Sequence, residues 1–149
     1  MLEIEDFLTA AETVLGIDAA RLTIITKIPL AESALAAPFA GVADQQFYEH
    51  PVQQAAILAS RIMRNHPLPD GNKRVALILM DIYLDENGYE LNSTPEEIDR
   101  MFRAVASRQN TEDYFVAWLC SRTERTGKDT CRPWLVCRGR FCVLGFLPA

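Results

Sequence analysis

The nine residues HPLPDGNKR, His66–Arg74, combine side chains that could move a proton, hold a metal ion and bind a phosphate. His66 is one of only two histidines in the chain, and its pKa lies near neutrality, so it could accept a proton from an attacking hydroxyl. Asp70 offers the kind of carboxylate that binds Mg²⁺ when phosphate oxygens and waters fill the other positions. These residue types at this spacing are the ones that phosphoryl or nucleotidyl transfer requires.

The same stretch contains a predicted helix start. Pro67 and Pro69 prevent the preceding helix from continuing, and Gly71 frees the backbone before the next one. Lys73 and Arg74 then occupy the first turn, where each cation costs roughly 0.3–1 kcal/mol against the helix dipole. A phosphate bound to the unpaired N–H groups of Gly71, Asn72 and their successors would offset that cost. Pro-Asp-Gly-Asn is also ordinary turn chemistry, so the residues alone leave both interpretations open.

Two further residues are candidates because of where they stand. Arg64, two residues before His66, could reach the same phosphate from the preceding helix or simply be solvated. His50 directly precedes Pro51, which is a typical first residue of a helix. We therefore interpret His50 as a surface or capping residue rather than a catalytic one.

Most of the chain around this stretch shows the periodicity of amphipathic helices, and strand signals are scarce. We therefore predict an all-α fold, a compact helical bundle. Gly41–His50 has no clean helical period and is predicted to be a loop or a short hairpin. The helix from Asn72 is apolar nearly all round, which predicts that it is central to the bundle. The predicted helical segments are IEDFLTAAETVL, PLAESALAAPFAG, PVQQAAILASRIMRN, NKRVALILMDIYLDENG, STPEEIDRMFRAVAS and NTEDYFVAWLCSR.

The length of 149 residues favours one domain, and composition divides the chain near Gly127. Residues 1–126 carry 11 Lys/Arg against 19 Asp/Glu, a balance of −8, whereas residues 127–149 carry four against one, a balance of +3. We predict one domain over 1–126, which contains the candidate site, and a separate basic tail over 127–149. The tail holds Cys131, Cys137 and Cys142; a zinc site completed by Cys120 or a disulfide is disfavoured, and packing, association or disorder stay open.

No apolar run approaches the ~20 residues of a membrane helix, and the acidic N-terminus lacks the basic start of a secretory signal. We expect a soluble cytoplasmic protein without membrane binding. The net charge of −5 argues against direct nucleic-acid binding, which usually requires a basic surface.

HPLPDGNKR resembles the signature of the Fic/Doc (Fido) family, H-x-F-x-D/E-G-N-G/K-R, and its Lys after Asn is the form found in the Doc, death-on-curing, toxin branch. The resemblance extends over about residues 1–123. It includes LAESALAAPFAG with the irregular segment after it, and ALILMDIYLDENGYEL. The resemblance implies a compact helical fold with a small flap, within Ala40–Tyr48, that holds a target segment extended beside the active-site loop, a form of β-augmentation.

The roles that the resemblance implies follow the motif position by position. His66 is the base that deprotonates a target hydroxyl, and Asp70 is the Mg²⁺ ligand. Asn72 helps to hold phosphate through the loop and the helix start, while Lys73 and Arg74 bind phosphate oxygens. The cofactors implied are ATP and Mg²⁺.

The Doc branch implies a toxin that transfers the γ-phosphate of ATP to a threonine of elongation factor Tu, which halts translation. Lys73 and Leu77 stand where many AMP-transferring relatives have Gly and a second Arg, and both differences are shared with Doc. Leu68 replaces the usual Phe, whereas Gly71 is closer to the wider family than to Doc. Fic-type AMP transfer is the first alternative, and a non-catalytic binding module is the second.

The resemblance also bears on how the activity is controlled. Some relatives block their own ATP site with a helix bearing S/T-x-x-x-E-G/N. STPEEI, Ser93–Ile98, has the Glu spacing but ends in Ile, and a helix cap explains it, so we expect a separate antitoxin protein as partner.

Overall fold

The computed structural model describes residues 2–126. In this part, the chain forms seven α-helices, a short 3₁₀ turn at Ala37–Phe39 and two small two-stranded antiparallel sheets, which confirms the all-α prediction. The helices are α1 (Ile4–Leu15), α2 (Ala19–Ile25), α3 (Ile28–Ala36), α4 (Pro51–Asn65), α5 (Asn72–Glu86), α6 (Pro95–Ala106) and α7 (Glu112–Arg122), and the strands are β1 (Gly41–Val42), β2 (Gln45–Gln46), β3 (Tyr89–Leu91) and β4 (Thr123–Arg125). The predicted tail over 127–149 lies outside the described residues.

Local sequence signals set several helix ends where they were predicted. Thr94 and Glu97 form the capping box of α6, since each side chain accepts a bond from the other residue's backbone N–H. His50 caps α4, because its Nδ1 accepts a hydrogen bond from the Val52 N–H at 3.3 Å. The capping interpretation of His50 is therefore confirmed.

The core is built around α4 rather than α5. Helix α4 packs against α3, the 3₁₀ turn, α5, α6 and α7, while α5 packs mainly against α1, α4 and β3. Small residues along α4 explain this position, because they let neighbouring helices approach closely on several sides. Leu77 and Ile78 of α5 are only partly buried, so the prediction that α5 is the central helix was wrong. The residues of α4 predicted to face inward are all buried: Val52, Ala55, Ala56, Ala59, Ile62 and Met63.

Helix α2 and the pair of strands β3 and β4 were not predicted from the sequence. Helix α2 has only seven residues and buries Leu22 while leaving Ile24 82% exposed, so its apolar residues form no stripe. Strands β3 and β4 pair residues far apart in the chain, with Glu90 opposite Glu124. This pairing joins the exit of α5 to the end of α7, a contact that local patterns do not encode.

No single helix within residues 2–126 is long and apolar enough to cross a membrane. The pair Ala19–Ile25 and Ile28–Phe39 passes the same test together by length and composition, but its two parts are bent by 89°.

Candidate active site

The predicted catalytic loop joins the end of α4 to the start of α5. His66 is the residue that ends α4, and its backbone is left-handed, with φ 48° and ψ 58°. This conformation costs a residue other than Gly roughly 1–2 kcal/mol, so the surrounding structure must hold it. The imidazole is exposed at the rim of the loop, where a hydroxyl could reach it.

Leu68 and Asn72 anchor the loop from below. The Leu68 side chain is 3% exposed and belongs to the core, so it serves as the apolar anchor despite its smaller size than Phe. The Asn72 amide binds both backbone groups of Leu68: its Oδ1 accepts from the N–H at 2.9 Å, and its Nδ2 donates to the carbonyl at 2.8 Å. The same Nδ2 lies 3.5 Å from Nδ1 of His66, where the bonding role depends on the histidine tautomer. Asn72 thus fixes the loop that supports the histidine.

The start of α5 is an open helix N-terminus. Gly71 has φ +81°, no side chain caps the helix there, and its first turn holds no acidic residue. The first backbone bond of the helix runs from the Val75 N–H to the Gly71 carbonyl, so the preceding amides have no intrahelical partner. A Cβ on Gly71 would lie 3.1 Å from the side chains of both Val14 and Leu15. Helix α1 therefore packs directly under the turn that presents these amides.

The charged residues of the motif stand around this N-terminus. Lys73 is exposed, and Arg74 is half-exposed with a guanidinium nitrogen 3.5 Å from Oδ2 of Asp70. The Asp70 side chain is 85% exposed, which leaves its carboxylate open to a further ligand. An exposed carboxylate beside an uncapped helix N-terminus fits a phosphate-bound Mg²⁺, which needs one or two protein carboxylates. Among residues 2–126, no three His, Cys, Asp or Glu side chains form a metal cage, so the metal would depend on the phosphates.

The structure places Arg64 with different partners. Its guanidinium donates to the Asn110 carbonyl at 3.0 Å and lies 3.5 Å from a carboxylate oxygen of Glu112. The side chain is 21% exposed, so it is more enclosed than a solvated surface arginine. Within the loop and the first turn of α5, Arg74 lies beside Asp70 and Asn72 lies beside His66, while Arg64 is bound to the start of α7.

Two contacts to the loop were missed by sequence reasoning. The Lys27 N–H donates to the Pro67 carbonyl at 2.8 Å, and Nδ2 of Asn65 donates to the Leu30 carbonyl at 3.1 Å. Both contacts tie the loop region to the start of α3. Neither residue carries a sequence signal for the role, because each contact joins segments more than thirty residues apart.

The irregular segment after α3 folds as a hairpin. Strands β1 and β2 pair Gly41 with Gln46 and Val42 with Gln45 around a tight turn, in which Ala43 has φ 54°. Of the two alternatives left open for this segment, the hairpin is observed. Val42 and Phe47 of this segment expose 67% and 60% of their surface.

The segment that forms the loop, the helix N-terminus and the hairpin matches a known protein family. Residues 3–84 match the model of the Fic/DOC family, and the chain belongs to that family. Proteins of this family are transferases that act on proteins and use nucleotide triphosphates.

Two relatives lie in different branches. Over 121 residues the chain is 32% identical to Toxin Doc of Mycolicibacterium smegmatis, a match that covers 79% of this chain and 89% of that protein. Over 86 residues it is 31% identical to Protein adenylyltransferase Fic of Culex quinquefasciatus, a match that covers 56% of this chain but only 17% of that longer protein. No solved structure matches the chain significantly.

Proposed function

We propose that this protein is a Doc-like toxin that transfers the γ-phosphate of Mg-ATP to a hydroxyl of a protein, a threonine of elongation factor Tu, and so inhibits translation. The observation that carries the proposal is Lys73, an exposed cation in the first turn of a helix whose N-terminus has no cap. Such a cation is unfavourable there unless an anion binds between it and the backbone amides. The match to a Doc toxin over most of that protein's length supports the same branch.

In the proposed transfer, each residue of the loop has a separate role. The target hydroxyl oxygen forms a bond to the γ-phosphorus as the bond to the β–γ bridging oxygen breaks, and ADP leaves. The hydroxyl proton passes to the exposed imidazole of His66, which acts as general base. Lys73, Arg74 and the α5 amides hold the phosphate oxygens and stabilise their charge. Asp70 would hold the Mg²⁺, which supplies further neutralisation of the phosphates.

The hairpin fits the role of a docking edge for the target. Its two strands are short and exposed and pair only with each other within the described residues, so each has an outer edge that an extended segment could join. Phe47 and Val42 offer apolar contacts to the side chains of such a segment. We therefore assign the target's acceptor segment to this edge, by β-augmentation.

Control of the activity is assigned to a separate antitoxin. Glu97, the acidic residue of STPEEI, is engaged in the α6 cap and lies 3.1 Å from Arg122 of α7. These contacts give Glu97 a structural role. A relative that is itself named a toxin supports a partner encoded on another chain.

AMP transfer is the second candidate, and two observations favour it. Gly71 follows the wider family pattern, and a curated relative is an adenylyltransferase. A non-catalytic binding module is the third candidate, in which the hairpin binds a partner without chemistry.

Purified elongation factor Tu incubated with the protein, Mg²⁺ and ATP labelled at either the α- or the γ-phosphate separates the three candidates. The proposal expects label on the target from γ-labelled ATP alone. Label from α-labelled ATP would establish AMP transfer instead. Binding of the target without either label would leave the non-catalytic binding module as the remaining candidate. A reaction without the protein is the control for label that arises from contaminating kinases.

A further inference from the structure

The backbone of His66 is strained, so the helix that ends at it must be held from outside. Its left-handed conformation follows directly after the last turn of α4. Downstream, Asn72 and Lys27 fix Leu68 and Pro67. Upstream, Nδ2 of Asn65 donates to the Leu30 carbonyl at 3.1 Å, and a carboxylate of α7 contacts the residues before it.

Glu112, the first residue of α7, contacts that part of α4 at three side chains. Its Oε1 accepts from the buried Ser60 hydroxyl at 2.9 Å and lies 2.8 Å from Nε of Arg61. Its Oε2 accepts from another nitrogen of Arg61 at 3.0 Å. Arg64, two residues before His66, completes the set at 3.5 Å from Oε1. One carboxylate thus contacts three residues of α4 that span more than one helical turn.

Part of this cluster is buried, unlike an ion pair on an open surface. The Glu112 and Arg64 side chains are 17% and 21% exposed and Ser60 is fully buried, whereas Arg61 is 44% exposed. Solvent screening is therefore weaker between Glu112 and Arg64 than at an open surface. Glu112 also stands in the first turn of α7, where the helix dipole favours a carboxylate. Weaker solvent screening and the helix dipole therefore both stabilise the carboxylate in its contact with α4.

The cluster borders an open cleft of about 560 Å³ that also contains Arg108 and Asp113. Glu112 pairs there with both Arg61 and Arg64, at 2.8 Å and 3.5 Å. These two arginines therefore serve the contact between α4 and α7.

We propose that Glu112 is a positioning residue for His66: through Arg61 and Arg64 it fixes the last turn of α4 and so the direction of the imidazole. This inference rests on the proposed function for its activity readout. Glu112 touches no reacting group, so its loss should lower kcat and leave the KM for ATP unchanged.

Glu112→Gln tests this assignment, because it removes the charge and one acceptor oxygen while keeping the side-chain size. We expect kcat to fall on the order of 10–100-fold, as for a misplaced catalytic group. Asp113→Asn makes the same charge change one residue along α7 and should leave kcat unchanged. Glu97→Gln weakens another carboxylate–arginine pair and controls for a general loss of stability. Equal kcat in Glu112→Gln and wild type would overturn the proposal.

An NMR readout keeps the test independent of the transfer reaction. The chain has only two histidines, so His50→Asn assigns the ring signals of His66 directly. In Glu112→Gln the His66 ring signal should shift or broaden, and in Asp113→Asn it should not. An unchanged His66 signal would refute the positioning role, even if kcat fell. If wild type transfers nothing to any target, the proposed function fails, and the ring signal still decides the positioning.

Discussion

His66 is the residue on which the proposed chemistry depends most. We predict that His66→Ala lowers transfer by about 10²–10⁴-fold, the usual contribution of a general base, while the fold survives because the ring is exposed. His50→Asn is the matched control, since Asn also caps helices well and His50, which caps α4 and contacts Tyr89, lies outside the loop. Initial rates and circular dichroism of both variants check this. Near-wild-type turnover in His66→Ala would refute the base assignment.

Asp70 makes a separate prediction about metal dependence. Asp70→Asn should raise the Mg²⁺ concentration required for half-maximal activity, because an amide is a poorer ligand than a carboxylate for this hard cation. The stability of the variant should stay close to that of wild type, since the Asp70 side chain is 85% exposed and its contact with Arg74 spans 3.5 Å. A Mg²⁺ titration of the rate measures the effect. An unchanged titration curve would place the metal ligand elsewhere.

Gly71 is constrained both by its backbone and by its neighbours. Gly71→Ala should cost about 1–2 kcal/mol of unfolding free energy from the left-handed φ, and more because the new methyl group would press on Val14 and Leu15. Gly16→Ala is the control, as Gly16 also has positive φ but nothing within 4 Å of its Cβ position. Denaturant unfolding of both variants gives the difference. Equal losses would show that α1 does not press on the loop.

Among the helices, α6 gives a prediction about pH. The hydrogen bond from Ser93, then that from the Thr94 backbone, lowers the pKa of Glu97 below its usual value, and Arg122 contributes as well. A lowered folded-state pKa contributes stability above the unfolded value of about 4.3, and that contribution disappears as pH falls through the folded-state pKa. Glu97→Gln should therefore be less stable than wild type at pH 7, and the difference should shrink toward pH 3. Urea unfolding at both pH values measures it, and a constant difference would contradict the mechanism.

At the level of elements, sequence reasoning succeeded where the signals are local. The capping box of Thr94 and Glu97 and the cap at His50 set helix starts by contacts within four residues. It failed where contacts between distant segments determine the structure. Strand β3 pairs with β4, more than thirty residues away. Helix α4, with its small residues, rather than α5, packs at the centre. The motif predicted which residues share the loop, because they are consecutive. It could not predict that Arg64 binds Glu112, since that partner lies on another helix.

Residues 2–126 combine the candidate catalytic loop, a helical core and a short exposed hairpin. The group transferred to the target distinguishes the Doc-like proposal from AMP transfer. The most direct measurement is the intact mass of elongation factor Tu after incubation with Mg-ATP and either wild type or Lys73→Gly. We predict that wild type adds one phosphoryl group and that Lys73→Gly adds it far more slowly, because a cation that holds the phosphates is lost. The mass of one adenylyl group on the target of wild type would contradict the Doc-like assignment. Equal phosphorylation by both proteins would contradict the role of Lys73.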